Sequence, residues 1–226
     1  MGTIALVGSG EYLPSMLPVD RALLDRVPGT PHVVCLATAA APDGPEVFAR
    51  WGRMGVEHFT GRLEVEAESV PLATREDAHD SALVERIRAA NFVYLSGGKP
   101  TYLFDTLVGT PAWDAIRSVL DAGGVVAGCS AGAMIMGRRC TPFPQHRGFR
   151  QVDAIILPHY DEMPGWMGSV VKLLFVPVGV LLGVEGNTAY VANGGRKGEV
   201  IGSGAVMVWG RGTHRRCMAG DSIVLP

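Results

Sequence analysis

The sequence predicts an α/β fold, in which a mostly parallel sheet carries helices on both faces. Short apolar, β-branched runs alternate with longer segments of helical period as far as the Gly-rich segment 128–132, and this alternation is typical of βαβ units. The last third contains strand-like runs with few helices between them, which predicts an antiparallel extension at one edge of the sheet. Because no repeat or linker interrupts the chain, residues 1–226 are interpreted as a single domain.

The individual elements follow from apolar periodicity and from the turn residues that end each run. The first strands are predicted at Thr3–Val7, Pro31–Ala37, Leu63–Val70, Asn91–Leu95 and Gly124–Ala127. Helices are predicted at Val19–Arg26, Pro45–Met54, Glu76–Ala89, Tyr102–Val108 and Ala112–Ala122, with another after Ser130. The strands of the last third are predicted at Asp153–Leu157, Val180–Val184, Thr188–Ala192, Glu199–Trp209 and Asp221–Leu225.

Composition excludes several classes of protein. Apolar residues make up 47% of the chain and charged residues 19%, which is enough apolar side chain for a sizeable core. The net charge is −2, with scattered basic residues, and argues against a nucleic-acid partner.

The N-terminus lacks a basic signal-peptide region, and the most apolar stretch, Val170–Val184, is too short and too interrupted for a membrane helix. Four cysteines without a CxxC pair favour reduced thiols. We therefore expect a cytoplasmic protein with no membrane contact.

The segment Gly128-Cys-Ser-Ala-Gly132 is a G-x-S-x-G sequence between a strand pattern and a helix pattern. That context is typical of a nucleophile elbow, whose sharp turn needs small neighbours and exposes the central side chain. The central residue is Ser130, so we predict a serine nucleophile, with the Ala131 N–H as an oxyanion donor. Cys129 stands one position too early to be the nucleophile and is interpreted as a small residue packed under the turn.

A serine nucleophile needs a base and a group that orients the base. Among six histidines, His159 follows the apolar run 154–157, and Glu185 follows the strand-like run 180–184, so both are expected at strand ends near the elbow. The competing assignment is Ser130, Asp161 and His214, in the order found in α/β-hydrolases. His214 lies in a segment, 212–216, that is interpreted as a basic surface turn.

Beside the strand end at His159, the chain carries four sequence motifs: Gly8-Ser-Gly-Glu11, Ser96-Gly-Gly98, Gly128-Cys-Ser-Ala-Gly-Ala133 and Val200-Ile-Gly-Ser-Gly-Ala-Val206. Together these features resemble the cyanophycinase and aspartyl dipeptidase (peptidase E) family of serine peptidases. The resemblance implies a flavodoxin-like fold similar to class I glutamine amidotransferases. It also implies a Ser130–His159 pair, with the second oxyanion donor on Gly98 and the third, acidic member at Glu185.

The predicted function is hydrolysis of an amide bond in a small peptide through an acyl-enzyme on Ser130. An aspartyl residue on the acyl side is implied by the resemblance, but Lys99 and Pro100 stand where the family carries an acidic or amide residue and a glutamine. Lys99 is itself able to pair with a substrate carboxylate. The alternatives are an esterase or amidase that uses His214, and a non-catalytic relative that binds a small acidic ligand.

No cofactor or metal is expected, because His214 and Cys217 make two ligands where a metal site needs more. The apolar stretch Leu173–Leu182 is a candidate interface for a homodimer.

Overall fold

The computed structural model describes residues 2–141, 146–164, 179–193, 197–210 and 212–225. These residues contain twelve strands: β1 (Thr3–Val7), β2 (His32–Leu36), β3 (Glu66–Ser69), β4 (Phe92–Leu95), β5 (Val125–Cys129), β6 (Ile155–Leu157), β7 (Leu181–Val184), β8 (Thr188–Ala192), β9 (Lys197–Gly202), β10 (Ala205–Gly210), β11 (Thr213–Met218) and β12 (Ser222–Val224). The α-helices are α1 (Leu17–Leu24), α2 (Pro45–Glu57), α3 (Ser81–Ala89), α4 (Pro100–Leu107), α5 (Pro111–Asp121) and α6 (Ala131–Met136).

The strands form two sheets. The larger has eight strands in the order β12-β9-β8-β1-β5-β4-β2-β3. Five neighbours, β1, β5, β4, β2 and β3, run parallel, whereas β8, β9 and β12 continue the sheet as antiparallel strands beyond β1. The smaller sheet has the order β11-β10-β7-β6.

Four of the parallel strands, β1, β2, β4 and β5, are buried on both faces, whereas β3 at the edge is partly exposed. Val33 and Cys35 of β2 pack in the cluster that also contains residues of α1 and α2. Val34 and Leu36, the intervening residues, pack in the opposite cluster with α3, α5, α6 and the smaller sheet. The carboxyl ends of β1, β5 and β4 are therefore adjacent at one edge of a sheet that is covered on both sides.

The structure confirms the α/β fold, with its mostly parallel sheet, helices on both faces and antiparallel strands in the C-terminal third. Two sequence-based expectations are wrong in detail. The run Glu199–Trp209 is two strands in two different sheets, because Gly202 takes a φ of 124° and lies against the Asn187 carbonyl, which redirects the chain. The segment 212–216, expected as a surface turn, lies mostly in β11.

Most of the apolar stretch Leu173–Leu182, the candidate dimer interface, lies outside the described residues. Among the residues that are described, no helix combines the length and apolar character needed to cross a membrane. The cysteines Cys35, Cys129, Cys140 and Cys217 are all buried free thiols.

A buried polar pair supports the packing of α1 against the segment that follows α2. The His58 Nε2 and Asp20 Oδ2 atoms are 2.8 Å apart, and both side chains are fully buried. His58 also packs edge-on against Phe59. Burial raises the pKa of Asp20, and its hydrogen bond to His58 offsets part of that rise. Removal of either side chain would therefore leave the other polar group buried without its partner.

We predict that Asp20→Ala lowers the free energy of unfolding by about 3 kcal/mol, because it leaves His58 buried without its partner. Urea denaturation measures the change. Asp25→Ala, an exposed substitution just after α1, is the matched control and should stay within about 0.5 kcal/mol of the wild type. Equal destabilisation by the two variants would contradict this account of the pair.

Candidate active site

Ser130 lies in a strained turn between β5 and α6. Its φ of 49° and ψ of −107° fall outside the regions that non-glycine residues favour. The Ser130 N–H donates to the Val7 carbonyl at 3.0 Å, which fastens the turn to the end of β1. Strain of this kind at a single residue between a strand and a helix is typical of a nucleophile elbow.

Two glycines make the turn possible. A Cβ atom added at Gly128 would lie 2.3 Å from the Gly132 carbonyl carbon, and one added at Gly132 would lie 2.4 Å from the Leu95 carbonyl oxygen. Neither position therefore accepts a side chain unless the backbone moves. This close approach sets α6 directly against β5 and β4, with Ser130 at their carboxyl ends.

His159 meets Ser130 from the smaller sheet. It follows β6 with a φ of 53°, and its Nε2 atom lies 3.1 Å from Ser130 Oγ. Its Nδ1 atom lies 3.1 Å from Oε1 of Glu162. With the Nδ1 proton donated to this carboxylate, Nε2 is the acceptor for the Ser130 hydroxyl. The arrangement has the connectivity of a Ser-His-acid triad.

Glu162 was missed by the sequence analysis, although a signal was present. His159 and Glu162 are three residues apart across the 3-10 turn Tyr160–Glu162, and this spacing brings side chains to one face of a helical turn. Glu162 is 62% exposed, and its Oε1 atom also accepts a long 3.4 Å hydrogen bond from Ser9. The carboxylate beside His159 is thus more solvated than that of a buried triad.

Glu185 does not contact His159 in the described structure. It follows β7 at the expected end of the sheet, but its carboxylate points toward β10 and β11. Oε2 accepts from the Ala205 N–H at 2.8 Å, and Arg216 donates to both oxygens at 3.1 and 3.2 Å. Glu185 therefore lies at the strand end expected from sequence, and in the described structure its carboxylate is bound by Ala205 and Arg216.

The competing assignment through Asp161 and His214 is not assembled either. Asp161 accepts from the Gly186 N–H at 2.8 Å. The His214 ring stacks on Trp209, with centroids 3.5 Å apart. The register places Trp209 opposite Leu181, at the start of β7, whereas His159 lies beyond the end of β6, which runs parallel to β7. His214 is therefore at the opposite end of the smaller sheet from Ser130.

The turn after β4 lies beside Ser130. A Cβ atom added at Gly97 would come within 3.3 Å of Ser130 Cβ, and Gly98 has a φ of 141°. In the described part of the chain, neither the Gly98 N–H nor the Ala131 N–H donates to a protein acceptor. Lys99 follows at the start of α4, where its Nζ atom lies 3.5 Å from Asp43 Oδ1, and Pro100 is the first residue of that helix.

Cys129 lies under the elbow, as expected for a small packed residue. It has no exposed surface, and its Sγ–H donates to Oε2 of Glu11 at 2.9 Å. Burial, followed by the charge of Glu11, raises the pKa of Cys129 well above its usual value. Cys129 is therefore held as a neutral thiol that faces away from solvent. No cluster of three or more metal-ligating side chains occurs among the residues with described positions.

The model of peptidase family S51 matches residues 4–164, which include Ser130, His159 and Glu162. The chain belongs to this family. It is a serine-type peptidase, and the family resemblance stated from sequence is confirmed. A crystal structure of a peptidase from an acI-B1 Actinobacterium is 30% identical and has a TM-score of 0.89, with 100% of this chain and 97% of that chain covered.

A putative peptidase E protein from Listeria monocytogenes EGD-e shares the fold, with 19% identity, a TM-score of 0.65 and coverage of 89% of this chain and 97% of that chain. No curated protein matches the sequence.

We predict that iodoacetamide at neutral pH does not inactivate this S51 peptidase. The reagent needs a thiolate, and the raised pKa and the burial of Cys129 leave almost none accessible. Activity and alkylation are followed together, by assay and mass spectrometry. In denaturant the same reagent should modify all four cysteines, which serves as the control. Loss of activity in step with alkylation of Cys129 would show that the thiol takes part.

Proposed function

We propose that this peptidase cleaves small peptides through an acyl-enzyme on Ser130, with His159 as the general base and Glu162 as the group that orients His159. The observation that carries the proposal is the pair of 3.1 Å contacts on the His159 ring, one from Nε2 to Ser130 Oγ and one from Nδ1 to Glu162 Oε1. A base that is held on one side by a carboxylate and on the other by a hydroxyl is poised to move a proton.

In the proposed first step, Ser130 Oγ attacks the carbonyl carbon of the peptide bond, and the hydroxyl proton passes to His159 Nε2. The carbonyl oxygen becomes an oxyanion, for which the N–H groups of Gly98 and Ala131 are the proposed donors. Collapse of this intermediate breaks the C–N bond, and the leaving amine takes the proton from Nε2. A water molecule then attacks the ester, gives a proton to His159, and releases the acid as Ser130 Oγ recovers its proton.

The proposed substrates carry an acidic residue on the acyl side, and the support is the position of Lys99. It stands two residues after Gly97, which lies beside Ser130, and its side chain is 59% exposed. The only carboxylate near it in the described chain, on Asp43, is 3.5 Å away and itself 42% exposed. A pair this solvated is weak, so a substrate carboxylate is able to compete for Lys99. Pro100 contributes no N–H to that contact.

The alternative through His214 has no geometric support, because that ring is stacked on Trp209 at the far end of the smaller sheet. For location, we propose the cytoplasm, since a reducing compartment suits the buried free thiols of the described chain.

We predict that a fluorophosphonate forms one covalent adduct, on Ser130, with release of fluoride and transfer of the hydroxyl proton to His159. His159→Ala should slow the labelling about 10³-fold, because general-base assistance is lost. His214→Ala, the matched control, should be labelled at the wild-type rate. Peptide mass spectrometry locates the adduct, and an adduct that survives in His159→Ala but not in His214→Ala would overturn the assignment.

Glu162→Ala and Glu185→Ala separate the two candidate acids. Labelling of Glu162→Ala should be about 10- to 100-fold slower, a smaller loss than the ~10⁴-fold seen for a buried triad aspartate, because Glu162 is solvated. Glu185→Ala should keep the rate but lose about 1 kcal/mol of stability, since its bonds to Ala205 and Arg216 are structural. The reverse pattern would assign the orienting role to Glu185.

Lys99→Ala should raise KM about fivefold for dipeptides with an acidic first residue, because a partly exposed ion pair contributes on this scale. The KM for neutral dipeptides should stay unchanged. Lys197→Ala, a change at an exposed position of β9 in the antiparallel part of the larger sheet, is the control. A KM that changes equally for acidic and neutral substrates would exclude a contact between Lys99 and the substrate carboxylate.

A further inference from the structure

Glu11 is a buried carboxylate beneath the active site that the proposed mechanism does not use. It follows the Gly8-Ser-Gly10 turn at the end of β1, and only 9% of its surface is exposed. A carboxylate is almost never buried unless hydrogen bonds compensate for its lost hydration. The hydrogen-bond partners of Glu11 therefore indicate the role of its carboxylate.

The two oxygens of Glu11 are bound to two different strand ends. Oε1 accepts from the Gly97 N–H, at the end of β4, at 2.9 Å. Oε2 accepts from the Cys129 Sγ–H, at the end of β5, at 2.9 Å. Gly97 precedes the proposed oxyanion donor Gly98, and Cys129 precedes the nucleophile Ser130. One side chain thus connects the two turns whose relative position decides whether an oxyanion on the substrate meets its donors.

The Gly97–Gly98 turn needs such a restraint, because two successive glycines have the greatest backbone freedom of any residues. On the C-terminal side of the turn, the Lys99 N–H donates to the Ala39 carbonyl at 2.8 Å. On its N-terminal side, the turn is fixed by Glu11. Gly98, with a φ of 141°, lies between these two anchors, and rotation of its peptide group would change the direction of its N–H.

We propose that Glu11 is a positioning residue for catalysis: its carboxylate holds the Gly97–Gly98 turn against the Ser130 elbow and thereby presents the Gly98 N–H to the oxyanion. The proposal rests on the proposed function of Ser130 and Gly98. Glu11 itself does not touch the substrate or exchange a proton with Ser130, whose hydroxyl is bound to His159.

The test is the rate at which a fluorophosphonate labels Ser130, because its tetrahedral phosphorus places an oxygen where an oxyanion would lie. Glu11→Ala removes both acceptors and should slow labelling about 10²-fold, the effect of one lost oxyanion donor. Glu11→Gln retains an acceptor for the Gly97 N–H and should restore most of the rate. Asp20→Ala, which also truncates a buried carboxylate, is the matched control. It should lower the thermal midpoint and leave the rate of the folded protein unchanged.

The outcomes are separable. Wild-type labelling in Glu11→Ala, or equal slowing in Asp20→Ala, would overturn the role of Glu11. No labelling of Ser130 in the wild type would instead count against the proposed function. If Glu11→Ala does not fold, hydrogen exchange in the wild type decides: the Gly97 amide should exchange at least about 100-fold more slowly than the Gly98 amide. Equal exchange at both amides would refute the restraint.

Discussion

The close approach of the backbones at the β5–α6 turn is the constraint on which the rest of the site depends. Gly128 and Gly132 bring the chain so close that an added Cβ atom at either would lie 2.3–2.4 Å from a backbone atom. The strained dihedral angles of Ser130 allow the chain to turn this sharply. The larger sheet holds the strain in place, because β5 pairs with β1 on one side and β4 on the other, with side chains packed on both faces.

His159 lies beside the Ser130 elbow because the carboxyl end of β1 in the larger sheet is adjacent to the carboxyl end of β7 in the smaller sheet. Gly8, at the end of β1, lies so close to the Glu185 carbonyl that a Cβ atom there would be 2.1 Å from its oxygen, and the Asn187 N–H donates to the Ser9 carbonyl at 3.0 Å. These contacts join β1 to the end of β7. Since β6 runs parallel to β7, His159 is delivered to the same place, and Glu162 follows within one turn.

The order of strands along the chain predicts where several of the site residues lie. Ser130 and His159 were predicted as site residues because each follows an apolar run, and sites in open α/β sheets form at the carboxyl ends of such strands. Glu185 also follows a strand, but the partner of a glutamate depends on where neighbouring strands bring Arg216 and the Ala205 N–H, and that register is a long-range property. The two-sheet division at Gly202 was missed for the same reason: a turn between two strand-like runs does not reveal whether they stay in one sheet.

A crystal structure of the fluorophosphonate adduct tests the central claim most directly. We expect phosphorus bonded to Ser130 Oγ and a phosphoryl oxygen within hydrogen-bonding distance of the Gly98 and Ala131 N–H groups. We also expect His159 Nδ1 to contact Glu162, while Glu185 keeps its contacts with Ala205 and Arg216. Phosphorus on any other residue, or a His159 ring turned to Glu185, would contradict the proposed roles.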